Sequence, residues 1–209
     1  MIGLGRFGSR LALELAALGH EVVGVDVDED TVQRLAPHLT KALVADTTRP
    51  EVLRQLGAEE FSHVVVGIGD LQASILTVAE LVTLGARDVW AKALTEAHQR
   101  ILEQVGAAHV VLPEHEMGRR IAHQVTGKVS DYIELEDGFA LVETRVPPEL
   151  WGTTLGSADV RARFDVTVVL VKPPGGSFTY ATADTALEEG SVVLVAGDTR
   201  HVEAFAERT

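Results

Sequence analysis

Residues 3–8 read GLGRFG, and Asp26 closes the next apolar run of the chain, EVVGVD at 21–26. The glycines match G-x-G-x-x-G, a spacing that permits a tight turn, close backbone approach to a phosphate and close helix packing. A carboxylate at the position of Asp26 accepts hydrogen bonds from a ribose diol and disfavours a 2′-phosphate. The sequence therefore predicts a site for NAD or an adenosine nucleotide. A glycine turn kept for packing, with Asp26 as a helix cap, is the alternative.

Short valine-rich runs alternate with segments of helical period in the first half of the chain. The runs are mostly apolar throughout, as in strands covered on both faces, and they lie at 21–26, 41–45, 63–68, 89–93 and 109–112. The alternation predicts an α/β fold, a Rossmann-like doubly wound parallel sheet over residues 1–125. Only Met1 and Ile2 precede Gly3, which is short for a central strand, so we expect the natural product to begin upstream.

The pattern changes after residue 125. Residues 126–131 (TGKVSD) resemble a linker, and strands are predicted at 139–146, 166–171, 177–180 and 191–196, with a short helix near Val160 and Phe164 and a last one at 201–207. Residues 126–209 are thus predicted to form a small α+β domain.

Several residues of the first half follow predicted strands, where open α/β sheets bind their ligands. Asp46 and Thr47 follow the run at 41–45, and Gly67 lies at the end of the run at 63–68; these are the third and fourth strands when the short one at Met1-Ile2 is counted as the first. Arg6 lies inside the glycine loop, where it is either a ligand of a terminal phosphate or a solvated surface arginine.

The composition of the chain excludes or disfavours several kinds of site and several classes of protein. The chain has 209 residues, a formal net charge of −13 and no cysteine, which excludes disulfides and thiolate metal sites. No basic cluster supports binding to nucleic acid or directly to an anionic membrane, and no apolar run reaches the roughly 18 residues of a membrane span. The eight histidines form no catalytic pattern, so we predict that the chain is not an enzyme, with an NAD-dependent oxidoreductase as the alternative.

Several segments together resemble the RCK (regulator of potassium conductance) domain. They are GLGRFG at 3–8, VDVDED at 25–30, VADTT at 44–48, QASILT at 72–77, VWAKA at 89–93 and VLPEHEMGRRIA at 111–122. The chain is similar to the cytosolic regulatory subunits of Ktr/Trk-type bacterial potassium uptake systems, and its second half resembles their TrkA-C domain, a ligand-sensing and dimerising module. Regulation of a cation/proton antiporter is an alternative, since the same domains serve several transporters.

This resemblance implies subunits that dimerise and assemble into an octameric ring, at the cytoplasmic face of the membrane, beneath a potassium-translocating partner. Bound ATP, ADP or NAD(H) would change the ring and gate the pore. The candidate nucleotide residues are Gly3, Gly5, Arg6, Phe7, Gly8, Asp26, Asp46, Thr47, Gly67 and Lys92.

Two further ligands are implied by the resemblance. Glu114 matches a glutamate that holds Mg²⁺ or Ca²⁺ near the nucleotide phosphates. In the second half, Asp159 and Arg161 match residues that bind cyclic di-AMP between two chains, and Thr154-Leu155 replaces the apolar pair that clasps this ligand in some relatives.

Overall fold

The computed structural model describes residues 1–125 and 129–209, which fall into two compact units, Met1–Glu114 and His115–Thr209. The division comes earlier than the predicted boundary at 125/126. The helix Pro113–Val125 straddles it, and Arg119 and Arg120 of this helix form ion pairs with Glu134 and Asp131. These two pairs link the helix to residues of the second unit.

The first unit contains a parallel sheet with the strand order of a doubly wound fold. Ile2 forms parallel bridges to Val25 and Val66, so it joins the pair β2-β1 to the triplet β3-β4-β5. The strands are β1 (Val23–Asp26), β2 (Lys41–Val44), β3 (Val64–Val66), β4 (Val89–Lys92) and β5 (His109–Val111). Strands β1 and β2 lie on one side of Ile2 and strands β3 to β5 on the other, so the order in which strands are added to the sheet switches at Ile2. Folds of this kind bind ligands at such a switch point.

Helices connect these strands and cover the sheet. Their bounds are α1 (Arg6–Ala17), α2 (Glu29–Leu35), α3 (Pro50–Gln55), α4 (Leu71–Thr83), α5 (Glu96–Val105) and α6 (Pro113–Val125), with 3-10 turns at Ala36–His38 and Ala58–Glu60. Asp28, Asp70 and Thr95 start α2, α4 and α5 by accepting a hydrogen bond from the N–H group three residues on. The predicted fold class is confirmed.

The second unit is built on a five-stranded antiparallel sheet in the order β10-β9-β12-β7-β6. Its strands are β6 (Val129–Glu134), β7 (Phe139–Arg145), β9 (Val166–Lys172), β10 (Thr179–Tyr180) and β12 (Val192–Asp198). A separate pair joins β8 (Thr153–Thr154) to β11 (Ala186–Leu187). The helices are α7 (Leu155–Ala158), α8 (Val160–Phe164) and α9 (Thr199–Ala206), with 3-10 turns at Glu136–Gly138 and Pro148–Leu150.

Three sequence-based details of this unit are corrected. Residues 129–131 of the predicted linker begin strand β6, whereas 126–128 lie outside the described residues. The strand expected at 177–180 is reduced to Thr179–Tyr180. The last helix begins at Thr199, because the Asp198 side chain accepts the N–H of Arg200. Of the helices in the described residues, none combines the length and apolarity needed to cross a bilayer.

Candidate nucleotide site

Packing explains three of the glycines at the carboxyl edge of the parallel sheet. A Cβ on Gly3, whose φ is +82°, would lie 2.9 Å from the backbone of Gly67 and Ile68. One on Gly8 would lie 1.9 Å from the carbonyl oxygen of Gly3, and one on Gly67 would lie 3.3 Å from the same oxygen and 2.7 Å from the flexible end of the Met1 side chain. The first turn of α1, the loop and the end of β3 can approach this closely only without these side chains.

Gly5 differs from the other glycines of the loop. Its backbone is extended, with φ −63° and ψ −165°, and apart from its two chain neighbours no atom of the described residues lies within 4 Å of a Cβ built there. It is the N-cap of α1 and offers no capping side chain. The open space and the N–H groups of the first helical turn form a place where an anion can approach the backbone.

The Asp26 carboxylate is hydrogen-bonded to the glycine loop. Its Oδ2 atom accepts the N–H of Leu4 at 2.5 Å, and its Oδ1 atom accepts the N–H of Asp28 at 2.9 Å. The cap of α2 is Asp28, which accepts the N–H of Thr31, so Asp26 is not the helix cap of the alternative interpretation. The two bonds fix Asp26 beside the loop, where its remaining lone pairs can accept ribose hydroxyls.

An ion pair between Lys92 and Glu114 lies beside the start of α1. Lys92, at the end of β4, is only 9% exposed, and its Nζ atom donates to Oε1 of Glu114 at 2.7 Å. The same Nζ atom lies 5.9 Å from the centre of the Phe7 ring. The bond from Lys92 lowers the pKa of the Glu114 carboxyl below its ordinary value, and the positive charge of Arg6 contributes. Arg6, Phe7, Lys92 and Glu114 therefore converge on the glycine loop.

The neighbouring residues Asp46 and Thr47, in the loop after β2, differ in the exposure of their side chains. Asp46 is exposed, and its Oδ1 atom accepts the N–H and the hydroxyl of Thr48 at 3.0 and 2.6 Å, which lowers the pKa of its carboxyl. Thr47 is only 4% exposed, and its hydroxyl lies 3.3 Å from that of Thr77 in α4. The side chain of Thr47 therefore faces the interior, and only its backbone is left for a ligand.

The first unit by itself offers few side-chain ligands for a bound divalent cation. Within residues 1–125 and 129–209, no group of three or more histidine, aspartate or glutamate side chains is arranged to hold a metal ion. Mg²⁺ and Ca²⁺ take six or more oxygen ligands. Glu114 by itself therefore fits a cation only if phosphate oxygens, water or a second chain complete the coordination.

The candidate residues of the second unit lie on three consecutive short elements. Thr154 caps α7 in a reciprocal hydrogen-bonded box with Ser157, and Leu155 is packed against the core. Asp159 adopts a left-handed conformation (φ 46°) between α7 and α8, and Arg161 is exposed on α8. The Thr154 hydroxyl is thus engaged locally, whereas the Arg161 guanidinium faces solvent.

Sequence reasoning did not identify His98 as an interior residue. It is fully buried, its Nδ1 atom accepts the N–H of Leu94 at 3.2 Å, and burial lowers its pKa. The bond ties the loop after β4, which follows Lys92, to the first turn of α5. A Thr95-x-x-His98 spacing fits a helix start, but nothing in it indicates that the ring turns inward.

Comparison with known proteins identifies both halves of the chain. Residues 1–113 match the TrkA-N domain family and residues 141–209 match the TrkA-C domain family. The chain is 37% identical over 210 aligned residues to Ktr system potassium uptake protein C of Bacillus subtilis, covering 100% of this chain and 95% of that protein. It is 34% identical over 199 residues to Ktr system potassium uptake protein A of Vibrio alginolyticus, covering 94% and 90%.

Solved structures share the fold across almost the whole chain. The GsuK RCK domain superimposes with a TM-score of 0.67 at 19% identity, covering 99% of this chain and 46% of that one. The GsuK channel bound to NAD gives a TM-score of 0.67 at 20% identity, covering 99% and 38%. This chain thus spans less than half of those proteins. The resemblance seen in the sequence is confirmed, and the chain belongs to the family of RCK-domain proteins that join a TrkA-N domain to a TrkA-C domain.

Proposed function

We propose that this chain is a cytosolic, nucleotide-binding regulatory subunit of a potassium uptake system. The observation that carries the proposal is the hydrogen bond from Leu4 of the glycine loop to Asp26, which holds the proposed ribose-binding carboxylate beside the loop. The relatives named for potassium uptake in the Ktr system are similar over nearly their full length, which supports the process assigned.

The ligand is an adenosine nucleotide or NAD(H). Asp26 accepts the ribose hydroxyls, and the phosphates lie over Gly5 at the start of α1, with Arg6 and Lys92 supplying positive charge. Gly3, Gly8 and Gly67 maintain the close packing that shapes the loop, while Asp46 borders the adenine side. GsuK, which shares the fold, has been solved with NAD and with ADP, in keeping with either ligand class.

A divalent cation at Glu114 is part of the proposal. The carboxylate would share Mg²⁺ or Ca²⁺ with phosphate oxygens of the nucleotide and with ligands from a second chain. The cation would supply positive charge between the phosphates and Glu114, which otherwise repel each other.

Potassium flux would be regulated through the thermodynamic linkage between nucleotide binding and the conformation of the assembled ring. Two chains dimerise, the dimers form an octameric ring, and the ring binds a membrane potassium-translocating subunit at the cytoplasmic face. A nucleotide that binds one ring conformation more tightly shifts the ring toward it by the difference in binding free energy. ATP and ADP differ in the terminal phosphate, which Arg6 at the start of α1 would bind, so the two would shift the ring differently.

The second unit is proposed to bind cyclic di-AMP. The exposed guanidinium of Arg161 suits a phosphate, and the left-handed backbone at Asp159 sets the start of the helix that carries it. Titration of wild type and of Arg161→Ala with cyclic di-AMP tests this assignment separately from the nucleotide site.

Calorimetric titration with ATP, ADP and NADH tests the first unit. Wild type, Asp26→Asn and the matched control Asp30→Asn are compared, because Asp30 is exposed on α2 and loses the same charge. We expect binding by wild type and Asp30→Asn and at least tenfold weaker binding by Asp26→Asn. Potassium flux is then measured through the co-purified membrane subunit with ATP and with ADP. Equal flux refutes the gating proposal, consumption of NADH favours an oxidoreductase, and co-purification with an antiporter changes the partner.

A further inference from the structure

We propose that, in the ligand-free chain, Glu114 holds the position of a nucleotide phosphate on Lys92, and that the arriving phosphate displaces it. This inference rests on the proposed function and adds a regulatory exchange to the same site. The exchange replaces one anion on Lys92 by another and requires no covalent step.

The two partners of the ion pair differ strongly in their burial. The Lys92 side chain is 11% exposed and that of Glu114 is 67% exposed, and their charged atoms are 2.7 Å apart. A buried ammonium group without an anion is costly, whereas an exposed carboxylate returns to water at little cost. Lys92 therefore needs an anion at all times, and Glu114 can leave as soon as another anion arrives.

The pair also lies where the phosphates are expected. Lys92 Nζ is 5.9 Å from the ring of Phe7, the second residue of α1, and the charge of Arg6, the first residue, acts on Glu114. A phosphate over the first turn of α1 would come within reach of Lys92 and would repel Glu114 at the same time. Both effects favour the exchange.

The consequence of the exchange falls on α6. Glu114 is the second residue of this helix and the last residue of the first unit, and the helix continues to Val125. Release of Glu114 frees the first turn of α6 from the sheet edge. Nucleotide occupancy is thereby passed to the helix through which the chain enters its second unit.

The test measures ATP affinity by calorimetry in EDTA, so that no cation bridges Glu114 to the phosphates. Glu114→Gln removes the competing charge, and Glu116→Gln removes the same charge from an exposed position on the same helix. We expect Glu114→Gln to bind ATP about two- to five-fold more tightly than wild type, in line with an exposed ion pair. Glu116→Gln is expected to stay within about 1.5-fold of wild type, as suits a screened surface charge.

A Lys92→Gln background separates exchange from general repulsion. There the gain from Glu114→Gln should vanish, because no ammonium group remains to be contested. An equal gain in that background, an equal gain from Glu116→Gln, or no gain in the wild-type background overturns the exchange while leaving nucleotide binding intact. Absence of ATP binding in wild type and both glutamate variants refutes the proposed nucleotide site and this inference with it.

Discussion

Two alanine substitutions in the glycine motif are predicted to act on different properties, Gly8→Ala on stability and Gly5→Ala on ATP binding. Gly8→Ala places a methyl group 1.9 Å from the carbonyl oxygen of Gly3 and 2.6 Å from Met1, so α1 must withdraw from the loop. Overpacking against backbone costs about 1–3 kcal/mol, and the helix preference of alanine offsets up to about 1 kcal/mol. We therefore expect a net loss of about 1–2 kcal/mol. Gly5→Ala meets no described atom within 4 Å, so its stability should stay within about 0.5 kcal/mol of wild type.

Urea denaturation measures this contrast in the first unit alone. The chain has two tryptophans, Trp90 in the first unit and Trp151 in the second, so a Trp151→Phe background leaves a single reporter. A loss of about 1–2 kcal/mol lowers the urea midpoint by about 0.5–1 M. Gly5→Ala should instead weaken ATP binding at least about tenfold, because its methyl group fills the space over the helix start. An unchanged midpoint for Gly8→Ala, or equal destabilisation by both variants, would refute the packing argument.

Three further outcomes concern the same unit. Asp26→Asn should weaken nucleotide binding and also destabilise the loop, since the single amide oxygen of asparagine can accept only one of the two N–H groups, of Leu4 and Asp28, that the carboxylate accepts; calorimetry and urea titration measure the two effects. Thr47→Val should cost about 1–2 kcal/mol by leaving the Thr77 hydroxyl unpaired, with little change in ATP affinity, and adding Thr77→Val should restore most of the loss. Burial lowers the pKa of His98 below 6.5, so the unfolded chain takes up the proton first as pH falls. Stability should be full above about pH 6.5 and decline below it by at most about 1.4 kcal/mol per pH unit, a slope that urea midpoints of His98→Asn should lack.

The sequence was sufficient for the parallel sheet because its strands are locally consistent. Runs such as VVV at 64–66 and VWA at 89–91 are apolar throughout, and glycine or a capping side chain marks the ends of several helices. Strand β6 was missed because VSDYIE carries charged residues at 131 and 134, and its burial comes from Val129 and Tyr132 packing on a core assembled from distant strands. Such tertiary burial overrides local polarity.

The sequence could predict which residues belong to the candidate site, but not which way their side chains point. Asp46 and Thr47 are adjacent in sequence, yet one is exposed and the other faces the interior, as successive residues leaving a strand do. The pairing of Lys92 with Glu114 joins residues from the end of β4 and the start of α6. No periodicity relates these positions, so only the fold brings them together.

The glycine motif performs two separable tasks, and only one of them indicates a ligand. Gly3 and Gly8 are required by close backbone packing, which any tight strand–helix turn could demand. Gly5 is not required in that way, because the space beside it is open among the described residues. An open glycine at a helix start, with Asp26 hydrogen-bonded to the adjacent Leu4, has no packing explanation. Gly5 and Asp26 therefore indicate a nucleotide, whereas the glycine spacing alone is equally compatible with packing.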